Sequence, residues 1–308
     1  MKLSVILVSY DMVREIPRTL QSLARDYQHG ARDLNYEVLL IDNGSPVPLD
    51  EATWAGIDVP VRLICVPDAP PSPAKAINIA LAEAKGEIVC LMIDGAHLLT
   101  PGVFRMAISG YQAFDNAVVA IRYFYLGVEE QTVSVNKGYD KQAEDKLLER
   151  IHWPRDGYRL FEISTPLRSG AKKLTWFNGM FESNCLFMRK SLFLELGGAD
   201  ERFDHPGGGF LNLDTFKRAV EAAGVTPIQI IGEGSFHQLH GGLTTNSDSG
   251  KRAALLERYR EQYARIHGHT ELMAKVPFIY MGHMPTVASN ITAVERRRAR
   301  LAGKLVDQ

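Results

Sequence analysis

The feature that most constrains this chain is a set of short apolar runs that do not alternate. LSVILVS (3–9), YEVLLID (36–42), VRLICV (61–66), EIVCLMID (87–94) and AVVAIRYFYLG (117–127) are nearly continuous in aliphatic and aromatic residues. Strands that expose one face alternate with a period of two, so continuous runs imply strands covered on both faces, as in a parallel sheet. The covering elements are legible between them. Val13, Ile16, Leu20, Leu23 and Tyr27 recur at helical spacing, AKAINIALAEAKG (74–86) reads as a helix with Gly86 as its C-cap, and TPGVFRMAISGYQAF (100–114) opens on a Thr cap followed by Pro. The expectation is an α/β fold with a central, mainly parallel sheet flanked by helices.

Composition bounds the partners. With 308 residues, 45% of them hydrophobic, the chain can build a large core. Thirty-five basic against thirty-six acidic residues leave a net charge of −1, so no nucleic-acid partner is expected and any charged ligand must meet a local site. Cys65, Cys90 and Cys185 are odd in number and set among apolar residues, which predicts buried, reduced thiols and a cytoplasmic setting. The run that opens the chain is too short for a signal peptide or membrane span, and no run of 18 apolar residues follows, so no transmembrane segment is expected.

Ligands of open α/β sheets bind at the carboxyl ends of the strands. Three such ends are polar here: SYD after the first strand, DNGS after the second and DGAH after the fourth. Together they point to one site, although each alone is also turn chemistry.

VILVSYDM, EVLLIDNGS, PAKAINIALAEAKGEIVCLMIDGA, SNCLFMRKSLFLELGGADERF and LDTFKR, in this order and spacing, resemble family 2 glycosyltransferases with the GT-A fold, over about residues 3–240. The resemblance implies transfer of a sugar from a nucleotide-sugar donor to a carbohydrate or other hydroxyl acceptor. It places Ser9 and Tyr10 at the nucleobase, Asp42 at the base or ribose, and Lys75 near the donor diphosphate or Asp94. Turn capping is the alternative for Asp42, and a solvated helix position for Lys75. Asn78 is expected to tie its helix to a neighbouring loop.

The family's metal motif is Asp-x-Asp, whose last carboxylate binds Mn²⁺ or Mg²⁺ across the diphosphate. Here Asp94 matches the first position and Ala96 offers no ligand. His97 is one substitute, since imidazole suits Mn²⁺ better than Mg²⁺; the alternative is that it caps the next turn. A histidine late in the chain often completes the family's site, and His237 and His240 in EGSFHQLHGGLTTN occupy that place. This stretch reads as a loop crossing the donor pocket, with the N–H groups of Gly241 and Gly242, and with Thr244 and Thr245, facing phosphate.

On the acceptor side the family shows Glu-Asp-x-Asp, its first Asp acting as the base of an inverting displacement. This chain has Leu211, Asn212, Leu213 and Asp214, and an amide cannot take up the proton. Asp214, Asp200 and Glu182 are the candidate bases. Trp176, Phe177 and Phe181 are candidates for stacking on sugar, with core packing as the alternative.

Residues 1–250 are expected to form the GT-A domain, with 129–173, where charge rises and apolar periodicity fades, as a variable loop. Residues 251–308 are expected to be a helical extension ending in the basic VERRRARLAGKL, which suits a solvated helix or a homodimer contact, with a membrane surface as the alternative. Two other functions stay open: a nucleotide-sugar binder that has lost catalysis, suggested by Ala96 and Asn212, and a sugar nucleotidyltransferase, which SYDMVREIP disfavours because it lacks a glycine-rich loop.

Overall fold

The computed structural model describes residues 1–167, 175–242 and 249–285. In chain order the elements are β1 (Lys2–Ser9), α1 (Glu15–Leu23), β2 (Asn35–Asp42), β3 (Val61–Cys65), α2 (Ala74–Glu83), β4 (Ile88–Met92), β5 (His97–Leu99), α3 (Val103–Ala113), β6 (Ala117–Leu126), α4 (Gln131–Ser134), α5 (Lys141–Arg150), β7 (Ser164–Pro166), β8 (Leu186–Arg189), α6 (Lys190–Glu195), α7 (Leu211–Glu221), β9 (Thr226–His237), α8 (Ser249–His267) and β10 (Ile279–Gly282). The sheet runs β10-β9-β6-β8-β4-β1-β2-β3, with β5 paired to β9 and β7 to β6. β1, β2, β3 and β4 are parallel to one another, as are β6, β9 and β10, whereas β8 is antiparallel to both of its neighbours.

The continuous apolar runs are explained by two cores, one on each face. Leu3, Val5 and Leu7 of β1 with Val38 and Leu40 of β2 pack toward α1 and α3. Ile6, Val8, Leu39 and Ile41 face the other way, against α2 and α7. Both faces of β1, β2 and β4 are therefore buried, edge strand β3 is covered only in part, and the expected α/β sheet forms where the sequence places it.

Residues 129–167 differ from the loop expected there. They hold α4, α5 and β7, and Leu148, Ile151, Leu160, Phe161 and Ile163 form a third core with Phe124, Trp176 and Phe236. Some of the charges that obscured the apolar pattern pair with α1 and its N-cap. Fully buried Glu144 meets Arg14 at 3.2 Å, Lys141 meets fully buried Glu15 at 3.1 Å, and Arg18 meets Asp145 at 2.7 Å. Buried carboxylates persist when paired this way, so the segment docks on α1 through ion pairs.

The C-terminal part also differs from the all-helical extension expected. α8 follows, with Tyr259 and Tyr263 buried in the second core, but β10 then joins the sheet edge beside Ile228–Ile231 of β9. Two glycines permit the approach: a Cβ on Gly232, whose φ is +82°, would lie 1.5 Å from the His283 carbonyl oxygen, and one on Gly282, whose φ is +130°, would lie 2.2 Å from that of Ile231. The basic run 294–305 lies outside the described residues. Cys90 and Cys185 are buried with sulfurs 3.7 Å apart, whereas Cys65 is exposed at the end of edge strand β3, contrary to expectation.

Candidate active site

A cleft of about 510 Å³ opens at the carboxyl ends of β1, β2 and β4, where the three polar strand ends predicted it. Ser9 and Tyr10 wall one side, Asn43 and Gly44 follow from β2, Pro70, Pro71 and Pro73 enter before α2, and Asp94, His240, Gly241 and Gly242 close the inner end. Ser9 Oγ and Asn43 Oδ1 are buried without a protein partner. Such orphaned groups beside a cleft suit the polar edges of a ligand.

Asp94 is held at both its backbone and its side chain. Asn184 accepts the Asp94 N–H at 2.8 Å and donates to the Asp94 carbonyl at 2.7 Å, while Ala96 N–H donates to Asp94 Oδ1 at 2.9 Å. Gly95 is required between them, because a Cβ there would lie 2.5 Å from the Val8 carbonyl oxygen. The free oxygen, Oδ2, lies 3.1 Å from both His237 Nε2 and His240 Nε2, and the two nitrogens are 3.0 Å apart. Asp94, His237 and His240 therefore bring three ligand atoms to one point. Two imidazole lone pairs at that separation repel unless a proton or a cation lies between them, and a carboxylate beside two imidazoles suits Mn²⁺ or Zn²⁺ better than Mg²⁺.

The electrostatics follow from this packing. Burial works against the Asp94 carboxylate, but the charges of His240 and His237 outweigh it and hold its pKa well below the usual range. Burial lowers the pKa of His237, whereas the Asp94 carboxylate overcomes burial and raises that of His240.

The stretch expected to be a loop is strand as far as His237. β9 carries three extra residues against β6 between Ile230 and Gly234, and this bulge lets it run on to pair with β5, His97 opposite His237. His240 follows in the next turn, so the histidines come from a strand end and the loop after it. His97 does not join them. It is fully buried, with Nδ1 2.8 Å from Ser235 Oγ, and burial holds its pKa well below the ordinary value. Its ring packs edge-on against His237 at 5.0 Å, one layer behind the cluster.

Two donor-side residues are placed differently from expectation. Asp42 Oδ1 accepts the Ser45 N–H at 2.9 Å and caps that turn, and its neighbours Asn43 and Gly44 line the cleft instead. Lys75 is exposed on α2, away from the cleft lining, between buried Ala74 and Ala76. Asn78 performs the tying role expected, bonding both backbone groups of Ala199. Gly241 and Gly242 line the cleft, and Thr244 and Thr245 lie outside the described residues.

Among the candidate bases the structure separates one from two. Asp214 is 1% exposed and ion-paired with Arg218 at 2.7 Å, with His267 Nε2 2.8 Å from its other oxygen. Asp200 is clamped by Arg202 at 2.6 Å in a separate groove with Arg218 and His267. Glu182 instead shares a small recess with Tyr123, the ring that stacks on His237 at 5.7 Å. Its carboxylate receives a hydrogen bond at 2.7 Å from Nδ2 of Asn212, the residue in the family's base position. Burial raises its pKa to about 7, with the hydrogen bond from Asn212 opposing and the charge of Asp94 adding to the rise. Trp176 belongs to the third core, Phe177 is 65% exposed against Tyr280, and Phe181 lines the Glu182 recess.

Sequence reasoning missed Asn43, Asn184 and Gln131, whose Oε1 lies 2.6 Å from His237 Nδ1. Asn43 and Asn184 sit inside the motifs IDNGS and SNCLF, but Gln131 lies in the segment read as a loop, where no signal marked it.

The family profile described as glycosyl transferase family 2 matches residues 4–196. No curated protein sequence matches the chain. Among solved structures, S. aureus TarS 1–349 in complex with UDP aligns at a TM-score of 0.51 and 15% identity, over 87% of this chain and 74% of that one. The same protein with UDP-GlcNAc aligns at 0.52 and 16%, over 86% and 67%. The mannosyltransferase PcManGT from Pyrobaculum calidifontis, in complex with GDP-Man and Mn²⁺, aligns at 0.50 and 16%, over 99% and 75%. At these identities the likeness concerns the fold.

Proposed function

The chain belongs to glycosyl transferase family 2, and from that membership we propose that it moves a sugar from a nucleoside-diphosphate sugar to an acceptor hydroxyl, with a divalent cation and with inversion at the anomeric carbon. The observation that carries this reading is the convergence of Asp94, His237 and His240 at the inner end of a cleft with unpartnered polar groups. Complexes of similarly folded proteins with UDP, UDP-GlcNAc and GDP-Man with Mn²⁺ support a nucleotide-sugar donor.

In this reading Ser9, Tyr10 and Asn43 receive the nucleoside, and the N–H groups of Gly241 and Gly242 face the diphosphate. Asp94, His237 and His240 would hold Mn²⁺, which offsets the charge building on the departing nucleoside diphosphate. Asp94 and the two histidines do the work that Ala96 cannot. Glu182 accepts the proton of the attacking hydroxyl, and Asn212 orients that carboxylate where the family usually places the base itself. A direct attack by the acceptor inverts the anomeric configuration.

The test is release of free nucleoside diphosphate from a panel of nucleotide sugars with Mn²⁺ and a hydroxyl acceptor. Asp94→Asn should lower turnover by roughly 10²–10³-fold. Full turnover by that variant would remove the proposal, and nucleotide binding by the native protein without turnover would leave a donor-binding protein.

A further inference from the structure

We infer that Gln131 is the positioning residue of the metal cluster: it fixes the tautomer of His237 so that the Nε2 lone pair faces the cation. This rests on the reading of Asp94, His237 and His240 as metal ligands. Gln131 opens α4, in the segment that carries none of the family motifs, and it is fully buried.

Its amide is oriented by a second contact. Gln131 Nε2 donates to the His237 backbone carbonyl at 3.0 Å, which turns Oε1 toward the His237 ring, 2.6 Å from Nδ1. An amide oxygen only accepts, so the hydrogen of that bond lies on Nδ1. A neutral imidazole protonated at Nδ1 has its lone pair on Nε2, the atom 3.1 Å from Asp94 Oδ2.

The ring has little freedom to escape this arrangement. Tyr123 stacks on it at 5.7 Å, Tyr125 meets it edge-on at 5.8 Å, and His97 packs against it at 5.0 Å. His237 is 3% exposed, so water does not readily replace the Gln131 oxygen. Outer partners of this kind typically change metal affinity by roughly 10–100-fold. Here the partner ties the charged segment 129–167 to the donor chemistry.

The experiment titrates Mn²⁺ and Co²⁺ into the purified full chain by calorimetry, with the Co²⁺ absorption spectrum as a second readout. Gln131→Met should weaken both metals roughly 10–100-fold in protein whose metal-free circular dichroism spectrum matches the native one, and Gln131→Glu, which keeps the acceptor, should restore most of the affinity. Gln131→Met that binds metal like the native protein overturns the inference and leaves the metal site standing. Native protein that binds neither ion overturns the metal reading and this inference with it. Should the methionine variant not fold, ¹⁵N signals of the His237 ring in the native protein decide: hydrogen on Nδ1 supports the inference, and hydrogen on Nε2 overturns it.

Discussion

Individual side chains here work through neighbours that the sequence does not place beside them. Glu182 and Asn212 are thirty positions apart and joined by one hydrogen bond of 2.7 Å. Asp200 and Asp214 match the family's acceptor motifs better, yet both are tied into ion pairs with arginine. A base must be free to take up a proton, and its pKa should lie near the working pH. Glu182 satisfies this because burial raises its pKa to about 7. Only the ionised form accepts the proton, so kcat/KM should climb with pH through about 7 and then level. Glu182→Gln should lower kcat by roughly 10²–10⁴-fold and remove that limb of the profile, measured under saturating donor and metal. An unchanged profile in the variant would move the base elsewhere. Asp94 was readable from its motif, as were the two histidines from their place in the chain. That His237 and His240 converge on Asp94 while His97 stays behind them depends on the pairing of β5 with β9, which local residue type does not encode.

Among the elements, β9 decides most. Its first part lies between β6 and β10, its last part between β6 and β5, and the bulge at 231–233 allows the change of partner. Thr226, Ile228, Ile230 and Ile231 are β-formers, whereas GEGSFH carries glycine and glutamate, which are rare in strands, and that stretch reads as a loop. Glu233 is nevertheless buried there, accepting bonds from Tyr158 and the Gly102 N–H. Gly232 is the weak point of the edge. Gly232→Ala forces a Cβ against the His283 carbonyl at a positive φ, which should cost about 1–3 kcal/mol and release β10 locally. Hydrogen exchange should then quicken at residues 279–282 while β1 and β4 stay protected. Unaltered protection at 279–282 would show that the edge accommodates the methyl group. The same lesson applies to α5: its charges read as a solvated loop, yet buried Glu144 and the partly exposed Lys141 and Asp145 pair with Arg14, Glu15 and Arg18 and dock it on α1.

At the scale of the whole molecule, the cleft is made by the ends of β1, β2 and β4 and by the turn after β9, so a donor bound there bridges Ser9, Asp94 and the turn after His237. Ligand that binds only the folded state at a hundred times its dissociation constant adds about 2.7 kcal/mol. One nucleoside diphosphate should therefore raise the melting temperature strongly with Mn²⁺, less with Mg²⁺ and least without metal; equal shifts in all three conditions would separate nucleotide binding from the cluster. Among the described residues no helix is long and apolar enough to cross a membrane. By itself the sequence determined β1 to β4 and β6, the helices α1 to α3 and the strand ends at which the cleft opens, because strand and helix periodicity are local and the polar strand ends follow from them. Tertiary structure alone decided which carboxylate is free, which histidines converge and that Gln131 stands behind one of them. Those outcomes depend on burial and on contacts between residues up to 146 positions apart, as between Asp94 and His240, where no periodicity carries information.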